Sequence, residues 1–140
     1  MNSILLDTGV IVALLDRSER FHSECVEVLS ELTGALVTCE ACVAEACYLL
    51  RDVRGASEAV ISNVGSGVFQ VPVRLIDQAA SVEKLLKKYR DVPMDLADAC
   101  LVDLADRLET GRILTLDGDF EVYRWRMRRK FELLVSLRAT

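Results

Sequence analysis

The chain has 140 residues, which suits a single domain over 1–140, and 51% of them are apolar, which excludes intrinsic disorder. Its 22 acidic and 17 basic residues give a net charge of −5, which argues against a protein that holds nucleic acid by bulk electrostatics. The charge is uneven, because six of the basic residues and only one acidic residue fall in residues 123–140.

The periodicity of the apolar residues predicts the elements in chain order. In the first half they are a strand over Ser3–Leu6, helices over Val10–Leu15 and Phe21–Leu32, a strand over Ala35–Val37, and a helix over Cys39–Val53 with Thr38 as its N-cap. In the second half they are helices over Ser57–Ser66, Asp77–Tyr89 and Asp95–Leu108, strands over Val68–Val73 and Arg112–Leu116, and a tail over Tyr123–Val135 with at least one further strand.

Strands that alternate with helices predict an α/β fold with a central, mainly parallel sheet covered by helices on both faces. Ligands of such folds bind beyond the carboxyl ends of the strands. Asp7 and Asp117 each follow a predicted strand. We therefore expect these two carboxylates at the same edge of the sheet.

The cysteine content and the hydropathy of the chain indicate its cellular compartment. The chain has five cysteines, an odd number, and no apolar stretch approaches the roughly 20 residues that a membrane helix needs. Cys39 and Cys42 have metal-ligand spacing, but no second cysteine pair or histidine cluster completes a site. The cysteines are expected to be small buried side chains, in a protein of the reducing cytoplasm that does not enter a membrane.

Carboxylates recur in mostly apolar surroundings. They are Asp7, Glu45, Asp95 with Asp98, and Asp117 with Asp119. Several carboxylates buried together repel one another, and a hard divalent cation such as Mg²⁺ or Mn²⁺ removes that repulsion. Such a cluster supports metal-assisted hydrolysis of phosphodiesters.

Each acid also has a purely structural interpretation. Asp7 could cap the next helix, Asp95 has the position of an N-cap with Asp98 three residues later, and Asp117 and Asp119 could form a turn around Gly118. Glu45 lies in an apolar helical run where solvation is hard to arrange, and Tyr48 and Leu49 at the end of that run are expected in the core. The conjunction of the acids, more than any single one, indicates a site.

The basic tail has two interpretations. If residues 124–128 are extended, Arg124, Arg126 and Arg128 share one face and could form a rim that binds RNA phosphates. The alternative is a solvated edge strand that its positive charge protects from aggregation.

The sequence resembles the PIN-domain family, and more closely its small VapC-type toxins, along nearly its whole length. The resemblance is carried by LLDTGVIVALLD, LVTCEACVAEACYLLR, DVPMDLADACLVDLADRL, and RILTLDGDF followed by VYR. The metal-binding acids of the family match Asp7, Glu45, Asp98 and Asp117, and supporting positions match Thr8, Asp95, Thr115 and Asp119. Leu116 departs from the family pattern, since many relatives have a polar residue there.

The resemblance implies a PIN-like, three-layer α/β/α fold and a Mg²⁺- or Mn²⁺-dependent endoribonuclease. It also implies a homodimer that a cognate antitoxin neutralises. The alternative is a catalytically inactive module that keeps the fold and binds a protein or RNA.

Overall fold

The computed structural model describes residues 2–135. Its six helices in this range are α1 (Thr8–Leu15), α2 (His22–Glu31), α3 (Glu40–Leu49), α4 (Ala56–Gly65), α5 (Leu75–Lys88) and α6 (Leu96–Leu108). The strands are β1 (Ser3–Leu6), β2 (Ala35–Val37), β3 (Phe69–Gln70), β4 (Arg112–Leu114), β5 (Arg124–Trp125), β6 (Arg129–Lys130) and β7 (Glu132–Leu133). A short 3-10 helix spans Gly118–Glu121.

Five strands form a parallel sheet in the order β3-β2-β1-β4-β7. The chain moves from β1 through β2 to β3 in one direction and then returns to place β4 on the other side of β1. Because such crossovers are right-handed, α1–α4 cover one face of the sheet and α5 and α6 cover the other. The predicted three-layer α/β/α fold is confirmed, and the change of direction leaves a crevice between the ends of β1 and β4.

Helix α6 forms the centre of the core. Nine consecutive residues, from Ala97 to Ala105, are buried. Asp95 caps this helix as predicted: its Oδ1 accepts the amide of Asp98 at 2.9 Å, while Asp98 Oδ2 faces the amide of Asp95 at 3.5 Å. This capping box fixes the first turn of α6, and with it the direction of the Asp98 side chain.

The order and type of the elements predicted over 3–116 are confirmed, but details differ at α3. Thr38 does not cap this helix, because its hydroxyl donates to the carbonyl of Leu6 at 2.7 Å and so joins β2 to β1. Helix α3 ends at Leu49 and not at Val53, since a tight turn follows in which the Val53 amide donates to the Leu50 carbonyl. The strand predicted over Val68–Val73 pairs only at Phe69–Gln70.

Residues 124–130 form an antiparallel hairpin, which we call the basic hairpin. Its turn places Arg126 and Met127 in the left-handed region, at φ values of 46° and 65°. Residues 124–128 are therefore not extended, so the condition under which their three arginines would share one face is not met. Arg138, the last basic residue of the chain, lies outside the described residues.

The cysteine prediction holds for most positions. Cys25, Cys39, Cys42 and Cys100 are buried free thiols, and Cys47 is half-buried. None of the helices in the described part of the chain is long and apolar enough to span a membrane.

Candidate functional site

Three carboxylates from distant parts of the sequence meet beyond the ends of β1 and β4. One oxygen from each of Asp7, Asp98 and Asp117 lies within 4.8 Å of the others. They line a pocket of about 420 Å³, to which Glu45 and Asp95 also contribute. We call the three converging residues the acidic centre.

Asp7 reaches this position because β1 ends at Leu6 and α1 begins at Thr8. Its Oδ1 accepts the amide of Thr8 at 2.8 Å, and its Oδ2 accepts the hydroxyl of Thr115 at 2.7 Å. The side chain thus caps α1 and faces the pocket at the same time. Burial raises the pKa of Asp7 to about 6, although the bonds from Thr115 and Thr8 act to lower it.

Asp98 enters the centre from the first turn of α6. Besides its part in the capping box, its Oδ2 accepts a hydrogen bond of 2.9 Å from the phenol of Tyr123. Burial raises the pKa of Asp98 to about 7, and the negative charge of Asp95 acts in the same direction. Tyr123 itself is fully buried, and its ring packs edge-on against Tyr89 and Phe120.

Asp117 lies three residues beyond the end of β4, and so not directly after the strand as predicted. Its amide donates to the hydroxyl oxygen of Thr115 at 2.9 Å, and its Oδ1 accepts the amide of Asp119 at 2.9 Å. Thr115 therefore contacts both Asp7 and Asp117. The apolar Leu116 lines the pocket without removing these supporting bonds.

Glu45 lies at the wall of the same pocket but outside the close cluster of three. It is exposed to solvent, and so are Ala44, Tyr48 and Leu49 on the same side of α3. Solvation of Glu45, expected to be hard to arrange, is therefore readily achieved, and the expectation that Tyr48 and Leu49 are core residues is wrong. The reason is that no element covers this face of α3 near the pocket in the described part of the chain.

The other predicted supporting residues surround the acidic centre. Thr8 is buried at the pocket wall, and its Oγ1 makes no hydrogen bond with the described residues. Asp95 and Asp119 lie beside Asp98 and Asp117 respectively. Burial and then the charge of Asp117 raise the pKa of Asp119.

The predicted RNA-binding arginines are not at the pocket. Arg124 donates to the carbonyls of Glu121, Val122 and Tyr123, and so caps the short 3-10 helix. Arg126 pairs with Glu109 at 2.7 Å, and its amide donates to Asp106. Asp106 is eight residues after Asp98, which corresponds to about 12 Å along the axis of α6.

Sequence reasoning missed Tyr123. The residue belongs to the VYR segment of the family resemblance, but no spacing rule links an aromatic residue at this position to an acid 25 residues earlier. Only the return of the chain past the first turn of α6 brings the two together.

The donor set of the acidic centre fits a hard divalent cation. The three converging groups offer carboxylate oxygens alone, which are the ligands that Mg²⁺ and Mn²⁺ prefer. Burial penalises the ionised form of Asp7 and Asp98, and a cation removes that penalty. The buried and unpaired Thr8 hydroxyl offers a further oxygen at the same wall.

Comparisons with known proteins agree with this fold and show the family of the chain. The family model described as "PIN domain" matches residues 4–126. Ribonuclease VapC26 of Mycobacterium tuberculosis is 34% identical over 119 residues, covering 81% of this chain and 86% of the relative. The crystal structure of Mycobacterium tuberculosis VapC20, titled a toxin that cleaves the sarcin-ricin loop, superposes with a TM-score of 0.80 at 20% identity, covering 90% of this chain and 98% of the other.

Proposed function

Because this chain belongs to the PIN-domain family and is a relative of the VapC ribonucleases, we propose that its acidic centre is the active site of a metal-dependent endoribonuclease. The observation that carries the proposal is the convergence of Asp7, Asp98 and Asp117 within 4.8 Å. Like charges at this distance oppose folding where they are buried, as Asp7 and Asp98 are, unless a cation or protons neutralise them. The pocket is open to solvent, so a phosphodiester could approach the carboxylates.

The proposed ligands of a divalent cation are Asp7, Asp98 and Asp117, with Glu45 as a fourth acid at the wall of the pocket. When bound, such a cation acidifies water and neutralises the charge that develops on the phosphate during hydrolysis. Mg²⁺, or Mn²⁺ in its place, is the ion we favour, because the converging side chains provide oxygen atoms only.

The residues of the chain have distinct tasks in this proposal. Thr115 holds Asp7 through its hydroxyl and orients the backbone of Asp117, so that two ligands are aligned by one side chain. The capping box aligns Asp98. None of these bonds has to form during the reaction, so the carboxylates are ordered before the substrate arrives.

Two protein partners belong to the same proposal. A cognate antitoxin would bind apolar surface, and an open groove of about 410 Å³ between α3 and α4 offers it, lined by Val43, Ala44, Cys47, Ile61 and Val64 among others. A homodimer is also proposed, because the resemblance to the VapC-type toxins implies one. Light scattering of the chain alone tests the dimer.

Location in the reducing cytoplasm stays a prediction, with which the free thiols are compatible.

Incubation with total RNA tests the proposed activity. We expect discrete cleavage products with Mg²⁺ or Mn²⁺ and intact RNA in excess EDTA. Cleavage that persists in EDTA would contradict the metal assignment. Intact RNA under every condition, together with no effect of divalent ions on the melting temperature, would favour the inactive binding module.

A further inference from the structure

An exposed aromatic side chain and an exposed arginine follow the pocket residue Glu45 along α3 and the turn after it, and the proposed chemistry uses neither. Tyr48 is 63% exposed although it is aromatic, and its neighbour Leu49, 53% exposed, lines the pocket. Glu45 lies one helical turn earlier on α3, so Tyr48 projects from the same side of this helix as the pocket acid. We call the pair of Tyr48 and Arg51 the stacking platform.

The stacking platform is held in a defined arrangement. The guanidinium carbon of Arg51 lies 4.0 Å from the centroid of the Tyr48 ring. Arg51 also donates to the carbonyl of Tyr48 at 2.8 Å, which fixes the guanidinium at the end of α3. One face of the ring is thus covered by a cation, while the exposure of the side chain leaves the other face to solvent.

The charges around the platform favour an anionic occupant. Within residues 2–135, no carboxylate forms an ion pair with Arg51. Arg126, in contrast, has its positive charge neutralised by Glu109. A pocket with five acidic side chains repels RNA, so a polyanion needs a cation near the entrance.

We propose that the stacking platform binds a single-stranded RNA nucleotide next to the phosphate to be cleaved, with the base on the open face of Tyr48 and Arg51 at a phosphate oxygen. Aromatic rings beside cationic groups bind single-stranded nucleic acid in this way, because every base has a face that stacks. The proposal rests on the ribonuclease function and names how that site holds its substrate. It implies that the pocket accepts unpaired RNA rather than a duplex.

Fluorescence anisotropy with a fluorescein-labelled single-stranded RNA of mixed sequence, about a dozen nucleotides long, tests the platform. The titration is done in EDTA, so the affinity is measured without cleavage. We expect Tyr48→Ala to raise the Kd for this RNA roughly 5- to 150-fold, which is the range found for the loss of one stacked base. Tyr48→Phe keeps the ring and should bind within about twofold of the unaltered chain.

Arg51→Ala should weaken RNA binding. It should also make the slope of log K against log salt concentration shallower, by the amount that corresponds to the loss of about one phosphate contact. Arg51→Lys keeps the positive charge and should keep that slope. Met127→Ala is the matched control, since Met127 is even more exposed, at 78%, but lies at the tip of the basic hairpin. We expect no change in its affinity. With Mg²⁺, Tyr48→Ala should raise KM much more than it lowers kcat.

Two results would overturn the platform. The first is a wild-type Kd in Tyr48→Ala. The second is a change in the subunit number of Tyr48→Ala, measured by light scattering, which would make Tyr48 part of a protein interface. A failure of the proposed ribonuclease function would differ from a failure of the platform. In that case the RNA would be bound through Tyr48 in EDTA but would stay intact with Mg²⁺.

Discussion

The two ends of α6 carry two charged regions that differ in how their charges are satisfied. At its first turn, Asp98 joins Asp7 and Asp117 in a cluster of like charges, and burial raises the pKa of two of the three. At its last turn and just beyond, Asp106 and Glu109 bind the backbone and side chain of Arg126. The first region is electrostatically incomplete, whereas the second is neutralised within the chain.

This difference shows that an excess of charge does not by itself mark a functional site. The basic hairpin has the densest positive charge in the sequence, yet Arg124 stabilises a 3-10 helix and Arg129 stacks on Trp125. The acidic centre is less obvious in the sequence, but its charges have no neutralising partner among the described residues. A converging set of charges without a partner in the chain is what favours a bound cation.

The largest expected effect concerns the acidic centre. Asp98→Asn keeps the size of the side chain but removes a proposed ligand charge, so we expect RNA cleavage to fall at least about a thousandfold, since metal ions supply several kcal/mol to such reactions. Asp52→Asn, on the exposed turn after α3, is the control and should cleave normally. Circular dichroism should show that both variants are folded. Full activity in Asp98→Asn would contradict the assignment.

Tyr123→Phe should have the next largest effect. It removes only the hydroxyl that donates to Asp98, while the aromatic contacts with Tyr89 and Phe120 remain. Groups that orient metal ligands typically contribute 10- to 100-fold to metal affinity or activity. We expect a loss of about this size in the affinity for Mn²⁺, measured by calorimetry. An unchanged affinity would mean that the capping box alone holds Asp98.

The stability of the metal-free chain should depend on pH through the same acids. The pKa values of Asp7 and Asp98 in the folded chain, about 6 and about 7, lie above the value near 3.8 of an unperturbed aspartate. Between about pH 4 and pH 7 the folded state therefore binds more protons than the unfolded state, so the free energy of unfolding falls as the pH rises.

Thermal unfolding in EDTA should accordingly give a lower Tm at pH 8 than at pH 5. Excess Mg²⁺ should raise the Tm at pH 8 and have little effect at pH 5, because protons compete with the cation for the carboxylates. Asp98→Asn should show a weaker fall between the two pH values. A Tm that rises from pH 5 to pH 8 in EDTA would contradict this account.

The smallest effect is expected at the basic hairpin. Arg128 is exposed and forms no hydrogen bond or ion pair through its side chain with the described residues, so Arg128→Glu reverses a charge without breaking a contact. We expect cleavage to change less than about threefold, whereas Arg51→Glu should reduce kcat/KM much more. A large loss in Arg128→Glu would favour the RNA-binding rim over the protected edge strand.

Much of this structure could be predicted from the sequence, because the signals were local. The apolar runs of β1, β2 and β4 defined the sheet, and Asp95 with Asp98 gave the capping box of α6. Asp7 and Asp117 could be expected at one edge, since parallel strands bring their carboxyl ends together. Asp98 lies on a helix, and only the conjunction of the acids and the family resemblance linked it to them.

Other features depend on contacts that no local pattern encodes. Thr38 could not be recognised as a link between strands, because its partner Leu6 lies 32 residues earlier. The exposure of Tyr48 and Leu49 follows from the lack of a covering element, which periodicity does not report. The shared arginine face depended on an extended segment, but Arg126 lies in a left-handed turn and forms a salt bridge with Glu109.

The position of a bound cation tests the central claim most directly. Crystals of the chain soaked in Mn²⁺, with anomalous data collected near the manganese edge, should show a peak between the carboxylates of Asp7, Asp98 and Asp117. The same soak of Asp98→Asn should show a much weaker peak or none. A manganese peak at other residues, with the three carboxylates free of metal, would contradict the account.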